Sequence, residues 1–406
     1  MADFHQSGDI ATLHNLTNRS IDELEAELIG FSKKRPMALI LPSLFSELEG
    51  EALPAIIDEL TKVPYLGEIT IGLDRADEAQ YRHALSFFSK LPQHHRVLWN
   101  DGPRLRALDA ELQAQDLAPA EPGKGRNVWY CLGYTIAREK AEAIALHDCD
   151  ITTYDRSLLA RLIYPMANPN FSYQYAKGYY PRVAGGKLNG RVTRLLVTPL
   201  IRSLEQVLGK HDYLSFLDGF RYPLAGEFSF RADVVSDIRL PSDWGLEMGI
   251  LSEMYRNYSS NKVCQVDIAE RYDHKHQDIS TEDKTKGLSK MSIDICKLIF
   301  RKLATEGEVL SKATFRAVKA AYFRNALDFV ERYKNDATIN GLKVDVHAEE
   351  DAVELFAENI ILAGKNYTDT PMERPFIPSW NRVTSAIPDI FPRLIEAVEE
   401  DQKEFS

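Results

Sequence analysis

Short apolar runs alternating with helical stretches over residues 21–146 constrain this chain more than any other feature. Residues 21–31 (IDELEAELIGF) have the spacing of an amphipathic helix, and 37–41 (MALIL) form an apolar run that stops at Pro42 like a buried strand. A helical pattern over 47–61 leads to 68–73 (EITIGL), which stops at Asp74. Strand, helix and strand thus fit within about forty residues, near the size of a βαβ unit. Helical patterns over 78–90 and 128–139 lead in turn to 96–99 (RVLW) and Ala143–Leu146. The alternation predicts an α/β fold, a mostly parallel sheet flanked by helices. From residue 281 the texture changes to long helical periods, over 287–304, 310–333, 349–363 and 383–404. These predict a C-terminal helical domain (281–406) appended to a catalytic or binding domain (1–280). Residues 371–378 (PMERPFIP) read as an extended linker, and the acidic stretch 396–404 as a solvated helix face.

Composition narrows the function classes. A chain of 406 residues, 44% hydrophobic and 27% charged, has ordinary globular composition and can bury a core without staples. Its formal charge of −11 disfavours nucleic acid and anionic membranes as partners, so an anionic ligand must meet a local basic pocket. Cys131, Cys149, Cys264 and Cys296 are scattered without a C-x-x-C pair, which fits reduced buried thiols. Residues 1–20 lack the basic and apolar regions of a signal peptide, and no apolar run approaches membrane-spanning length. A cytoplasmic enzyme or binding protein is the expectation.

In open parallel sheets, ligands sit outside the carboxyl ends of the strands. The residues there are Pro42, Ser43 and Leu44; Asp74; Asn100 and Asp101; and His147, Asp148, Cys149 and Asp150. Asp148 and Asp150 flank Cys149 directly after an apolar strand, where two carboxylates can share a hard divalent cation with a diphosphate; the alternative is a chance surface pair. Gly123, Lys124 and Gly125 precede a helix expected near Asn127, placing a lysine and backbone amides where a phosphate is favoured, or forming a glycine turn with a solvated lysine. Residues 184–194 (AGGKLNGRVTR) combine glycines with Lys187, Arg191, Thr193 and Arg194, either as an anion cradle or as a flexible loop. Asp243 suits a helix N-cap with Glu247 in the early turns, and either His274 or His276 could complete a metal site with the aspartates.

Taken in order, GKG at 123–125, D-x-D at 148–150, GRVT at 190–193, G-E at 226–227, W-G-L-E-x-G at 244–249 and Asp273 before His274 resemble the glucosyl-3-phosphoglycerate synthases, retaining nucleotide-sugar glycosyltransferases of the GT-A fold. The related mannosylglycerate synthases share GKG, D-x-D-I-T and DWG. The resemblance implies that Asp150 and His274 hold Mg²⁺ or Mn²⁺, with Asp148 near the ribose and diphosphate of the donor. It implies donor contacts from Pro42, Leu44, Glu47, Asp74, Lys124 and Trp244. Gly190, Arg191, Val192 and Thr193 would cradle the acceptor phosphate, and Glu247 would meet the transferred sugar or the attacking hydroxyl, so that Glu247 and Asp150 carry catalysis. Phe45 and Ser46 depart from the family's P-x-L-N-E-E, and Tyr272 stands where the family has arginine. The implied reaction moves glucose from UDP-glucose to 3-phosphoglycerate, giving a compatible-solute precursor. The alternatives are a GDP-mannose- or glycerate-using enzyme of the same fold, and a nucleotide-sugar-binding regulator without transfer activity. Helical appendages of this kind form dimer contacts or cover active sites, so a homodimer is one expectation.

Overall fold

The computed structural model describes residues 6, 10–17, 19–119, 122–274, 287–371 and 376–406. Eight strands form one sheet: β1 (Ala11–Leu13), β2 (Met37–Leu44), β3 (Leu66–Asp74), β4 (His94–Trp99), β5 (Ala143–Leu146), β6 (Tyr175–Tyr179), β7 (Phe228–Arg231) and β8 (Val263–Asp267). Their order is β1-β8-β6-β7-β5-β2-β3-β4. Every neighbouring pair is parallel except those of β7, which runs antiparallel to β5 and β6. The expected mostly parallel sheet is therefore present.

The chain winds outward from β2 through β3 to β4 and then returns to place β5 on the other side of β2. Such a reversal opens a crevice at the carboxyl ends of the two strands, where ligands of open sheets bind. Here β2 and β5 pair only as far as Ile40 and Leu146, whereas β2 continues beside β3 to Leu44 and Asp74. The strand thus outlasts the stop expected at Pro42. Past Ile40 it has lost one partner, so a missing amide hydrogen at Pro42 breaks no ladder on that side.

Alternation along the central strands separates two cores. Ala38, Ile40, Ile144 and Leu146 face one side, and Met37, Leu39, Leu41, Ala143 and Ala145 face the other. Burial of both faces explains why these strands read as continuous apolar runs. On the first side, buried residues of helices Gly287–Thr305, Lys312–Ile339 and Val346–Asp369 join one continuous core with helix Lys124–Ala137.

Several local expectations are revised. The helix expected over 47–61 is two, Phe45–Leu48 and Ala52–Leu60, with Gly50 in the break. The one expected over 383–404 is Trp380–Ala386 and Ile390–Phe405, because Pro388 between them cannot continue a helical ladder. Of the linker, Phe376–Ile377 pairs antiparallel with Leu240–Pro241, and 372–375 lie outside the described residues, as does the domain boundary at 280. The acidic C-terminal face is an ion-pair seam: Arg96 meets Glu399 at 2.8 Å, and Arg104 meets Asp401 at 2.5 Å and Glu404 at 2.6 Å.

Helix Lys124–Ala137 is clamped from behind by helix Trp380–Ala386. The Trp380 and Trp129 rings stack at 4.0 Å, the Trp380 indole N–H donates to Trp129 O, and that of Trp129 donates to Pro378 O. Gly133 makes room, since a Cβ there would lie 2.0 Å from Trp380 Cζ2. Replacing Trp380 with alanine is expected to cost about 3–5 kcal/mol of stability, read by urea unfolding; a loss below about 1 kcal/mol would remove the clamp from this account.

Candidate active site

Beyond β5 the side chains keep alternating. His147 and Cys149 are buried, while Asp148 and Asp150 face the crevice and are partly exposed. The next residues are strapped to the segment carrying His274. Ile151 bridges His274 antiparallel, Thr152 N donates to Asp273 O at 2.9 Å, and Asp273 N donates to Thr153 Oγ1 at 3.0 Å. The strap sets His274 Nδ1 at 3.9 Å from Asp150 Oδ1. One ligand atom each from Asp148, Asp150 and His274 lies within 4.8 Å of the others. His276 lies outside the described residues.

This donor set fits Mg²⁺ or Mn²⁺, which favour carboxylate oxygens and, for Mn²⁺, accept an imidazole. Asp150 Oδ1 supports the fit, because it is buried and accepts no hydrogen bond from the described residues. Burial and then the neighbouring Asp148 carboxylate push the Asp150 pKa up to about 7. Glu47, on its short helix after β2, adds to that repulsion.

The lysine between the two glycines faces these acids. Helix Lys124–Ala137 begins three residues earlier than expected, with Gly123 as its N-cap. Both glycines let the helix start press against Pro241 and Ser242, since a Cβ on Gly125 would lie 1.9 Å from Pro241 O. Lys124 Nζ meets Asp148 Oδ1 at 2.7 Å and Glu247 Oε1 at 3.2 Å. Burial alone would lower its pKa, but the two carboxylates outweigh burial and keep it charged. Gly226 admits Asp148, as a Cβ there would fall 2.4 Å from Asp148 Oδ2. Glu247 stands in the first turn of helix Leu246–Asn257, whose N-cap is Gly245; Asp243 instead accepts from Gly245 N at 2.9 Å. Trp244 beside it is 38% exposed.

The remaining expected residues occupy the rim. Pro42 and Leu44 end β2, and Asp74 ends β3, accepting from Asn100 Nδ2 at 2.8 Å; burial raises the Asp74 pKa. Gly190, at φ +77°, turns the chain into Arg191, which caps the π-helical segment Val192–Val197. Thr193 Oγ1 is buried without a hydrogen-bond partner among the described residues. Arg194 leaves the expected cradle. It is buried, pairs with Glu349 of helix Val346–Asp369 at 2.5 Å and donates to Asn189 O. Its neighbour Arg191, three positions earlier, is partly exposed.

Comparison with known proteins settles the family. No family model matches the chain. A glucosyl-3-phosphoglycerate synthase of Persephonella marina is 46% identical over 404 residues, covering 100% of both chains. One from Methanococcoides burtonii is 38% identical over 409 residues, covering 99% of both. The chain belongs to the glucosyl-3-phosphoglycerate synthase family. Among solved structures, glucosyl-3-phosphoglycerate synthase of Mycobacterium tuberculosis in complex with Mn²⁺, UDP-glucose and phosphoglyceric acid matches with TM-score 0.53 and 20% identity, over 73% of this chain and 89% of that one. Mannosyl-3-phosphoglycerate synthase of Rubrobacter xylanophilus matches with TM-score 0.53 and 19% identity, over 71% and 85%. At this identity the likeness shows the shared GT-A fold.

A buried layer beneath these acids brings in residues with no role expected from sequence. Tyr272 donates to Glu227 Oε1 at 2.6 Å, and Tyr180, stacked on Tyr272 at 3.7 Å, donates to Oε2. Glu227 is fully buried, and burial with the nearby Asp148 carboxylate raises its pKa. Lys177, also fully buried, donates to Ala225 O at 2.5 Å, and burial lowers its pKa to about 8. The G-E dipeptide was the sole signal for this layer, because its partners lie some 45 residues away on either side.

Asp150 governs the expected pH response. Below about pH 7 a proton competes with the ion for its carboxylate; above it the group is ionised and competition ends. Mn²⁺ affinity, measured by electron paramagnetic resonance, should fall up to about tenfold per pH unit below about 7 and level off above it. A flat profile from pH 5.5 to 8.5 on this roughly three-unit scan would contradict the placement of the ion at Asp150.

Proposed function

We propose that this protein transfers glucose from UDP-glucose to 3-phosphoglycerate with retention of configuration, using Mg²⁺ or Mn²⁺ held by Asp150 and His274. The observation that carries this reading is the convergence of Asp148, Asp150, His274 and Lys124 at the β2/β5 crevice of a chain in this family. A bound divalent ion supplies positive charge opposite the donor diphosphate, where negative charge grows as the sugar–phosphate bond loosens.

The chain's own residues do the rest. Lys124 stays protonated and donates to the donor, while Asp148 holds that ammonium and faces the ribose and diphosphate. Pro42, Leu44, Glu47 and Asp74 border the nucleotide at the ends of β2 and β3, and Trp244 walls the sugar pocket. Glu247, fixed by Lys124, accepts from sugar hydroxyls or from the attacking acceptor hydroxyl. Arg191, Thr193 and the backbone of Gly190 and Val192 hold the acceptor phosphate. The acceptor attacks from the face the diphosphate leaves, without a covalent sugar intermediate. This reading assigns catalysis to residues 1–280 and a helical unit to 281–406, whose described helices join the core behind helix Lys124–Ala137. Among the described residues no helix is long and apolar enough to cross a membrane. All four cysteines are free and buried, in keeping with a reducing cytoplasm.

Labelled UDP-glucose incubated with 3-phosphoglycerate and Mn²⁺ should yield glucosyl-3-phosphoglycerate, and EDTA should stop it. Transfer only from GDP-mannose, or none to any phosphoglycerate, would overturn the reading. Asp150→Ala should lower kcat by about 10²–10³ while leaving thermal unfolding nearly unchanged. Arg191→Ala should chiefly raise KM for phosphoglycerate, by the loss of a charge-assisted contact of about 1.5–3 kcal/mol; an unchanged acceptor KM would move the cradle elsewhere.

A further inference from the structure

Arg182 is a buried cation to which the described residues offer no carboxylate. It is 9% exposed, and its Nε is buried without a hydrogen-bond partner among the described residues. Nη1 donates to Tyr222 Oη at 3.3 Å, and the guanidinium lies 5.8 Å from the centre of the Tyr272 ring. The other buried arginines are paired, Arg126 with Asp109 at 3.0 Å and Arg194 with Glu349 at 2.5 Å. A guanidinium removed from water without a counter-charge is costly, and the cost is relieved when an anion arrives. Burial lowers the Arg182 pKa, but Tyr222, Tyr180 and Tyr272 outweigh it, so the cation persists.

Its surroundings identify the anion. Arg182 O accepts from Asn189 N at 2.7 Å, which folds the chain back so that Gly190 lies against Arg182. A Cβ built on Gly190 would lie 3.5 Å from Arg182 Cγ and 3.6 Å from Tyr222 Oη. Arg182 and Tyr222 therefore back the first residue of the Gly190 to Thr193 loop. That loop holds a second buried polar atom without a partner among the described residues, Thr193 Oγ1. A parallel bridge between Arg182 and Tyr272 places the same arginine two residues from His274.

We propose that Arg182 is an acceptor-binding residue, whose guanidinium closes with Thr193 on an anionic group of the acceptor, its phosphate or its carboxylate. The proposal rests on the phosphoglycerate reading for the identity of the acceptor. A planar guanidinium suits either oxyanion, since both accept two parallel N–H donors.

Arg182→Met and Arg182→Lys test it. With saturating UDP-glucose and Mn²⁺, Arg182→Met should raise KM for 3-phosphoglycerate about 10- to 100-fold and change KM for UDP-glucose less than about twofold. Arg182→Lys keeps the charge without the fork and should fall between, and it decides the matter if the methionine variant does not fold. An unchanged acceptor KM, or donor and acceptor KM rising together, would overturn the proposal in favour of a packing role. Glycerate as acceptor separates the two anions. Loss of the preference for phosphoglycerate over glycerate assigns the phosphate, and KM values rising with the preference intact assign the carboxylate. Calorimetric binding of 3-phosphoglycerate separates this inference from the activity itself. Binding by the natural protein that is lost in the variants supports Arg182 even without turnover, and equal binding by all three contradicts it.

Discussion

Negative charge gathered under the carboxyl edge of the sheet is the constraint to which the rest of the structure answers. Asp148, Asp150, Glu227 and Glu247 share one region with two lysines, Lys124 and Lys177. Lys124 serves both Asp148 and Glu247, and two tyrosine hydroxyls serve Glu227. Asp150 is left with an imidazole at 3.9 Å and a carboxyl group pushed up to about pKa 7. A divalent cation would offset that repulsion, so the gathered carboxylates bias the crevice toward such an ion and the diphosphate that follows it.

The fold holds this charge in place from two directions. In front, the early end of the β2/β5 ladder lets the D-x-D segment peel away, and the Ile151 bridge returns the His274 segment to it. Behind, the Trp380 ring seated over Gly133 fixes the helix whose first residue is Lys124. The C-terminal helices thus act on the site through packing, about two and a half turns of helix from the ammonium. Arg194 and Glu349 make a second tie, from the end of the Gly190 to Thr193 loop to helix Val346–Asp369.

Where the sequence was legible, periodicity and position made it so. Strands β2, β3 and β5 and the second half of β4 are buried on both faces and stand out as apolar runs. Strand β6, YAKGY, does not, because Lys177 and Gly178 interrupt it: the lysine reaches Ala225 O, and the glycine admits Ile268 and Glu227. The D-x-D pair, Lys124 and Glu247 were visible as motifs. By charge and loop position alone Arg191 and Arg194 look equivalent, since the carboxylate that claims Arg194 lies 155 residues away. The Tyr180, Glu227 and Tyr272 layer was hidden for the same reason, being assembled from three separate segments.

A crystal grown with Mn²⁺ and UDP, with diffraction recorded at the manganese absorption edge, tests the central claim most directly. The account predicts one strong anomalous peak within about 2.0–2.4 Å of an Asp150 oxygen and a His274 nitrogen, next to the diphosphate. Manganese bound at other residues, with Asp150 and His274 turned from it, would contradict it.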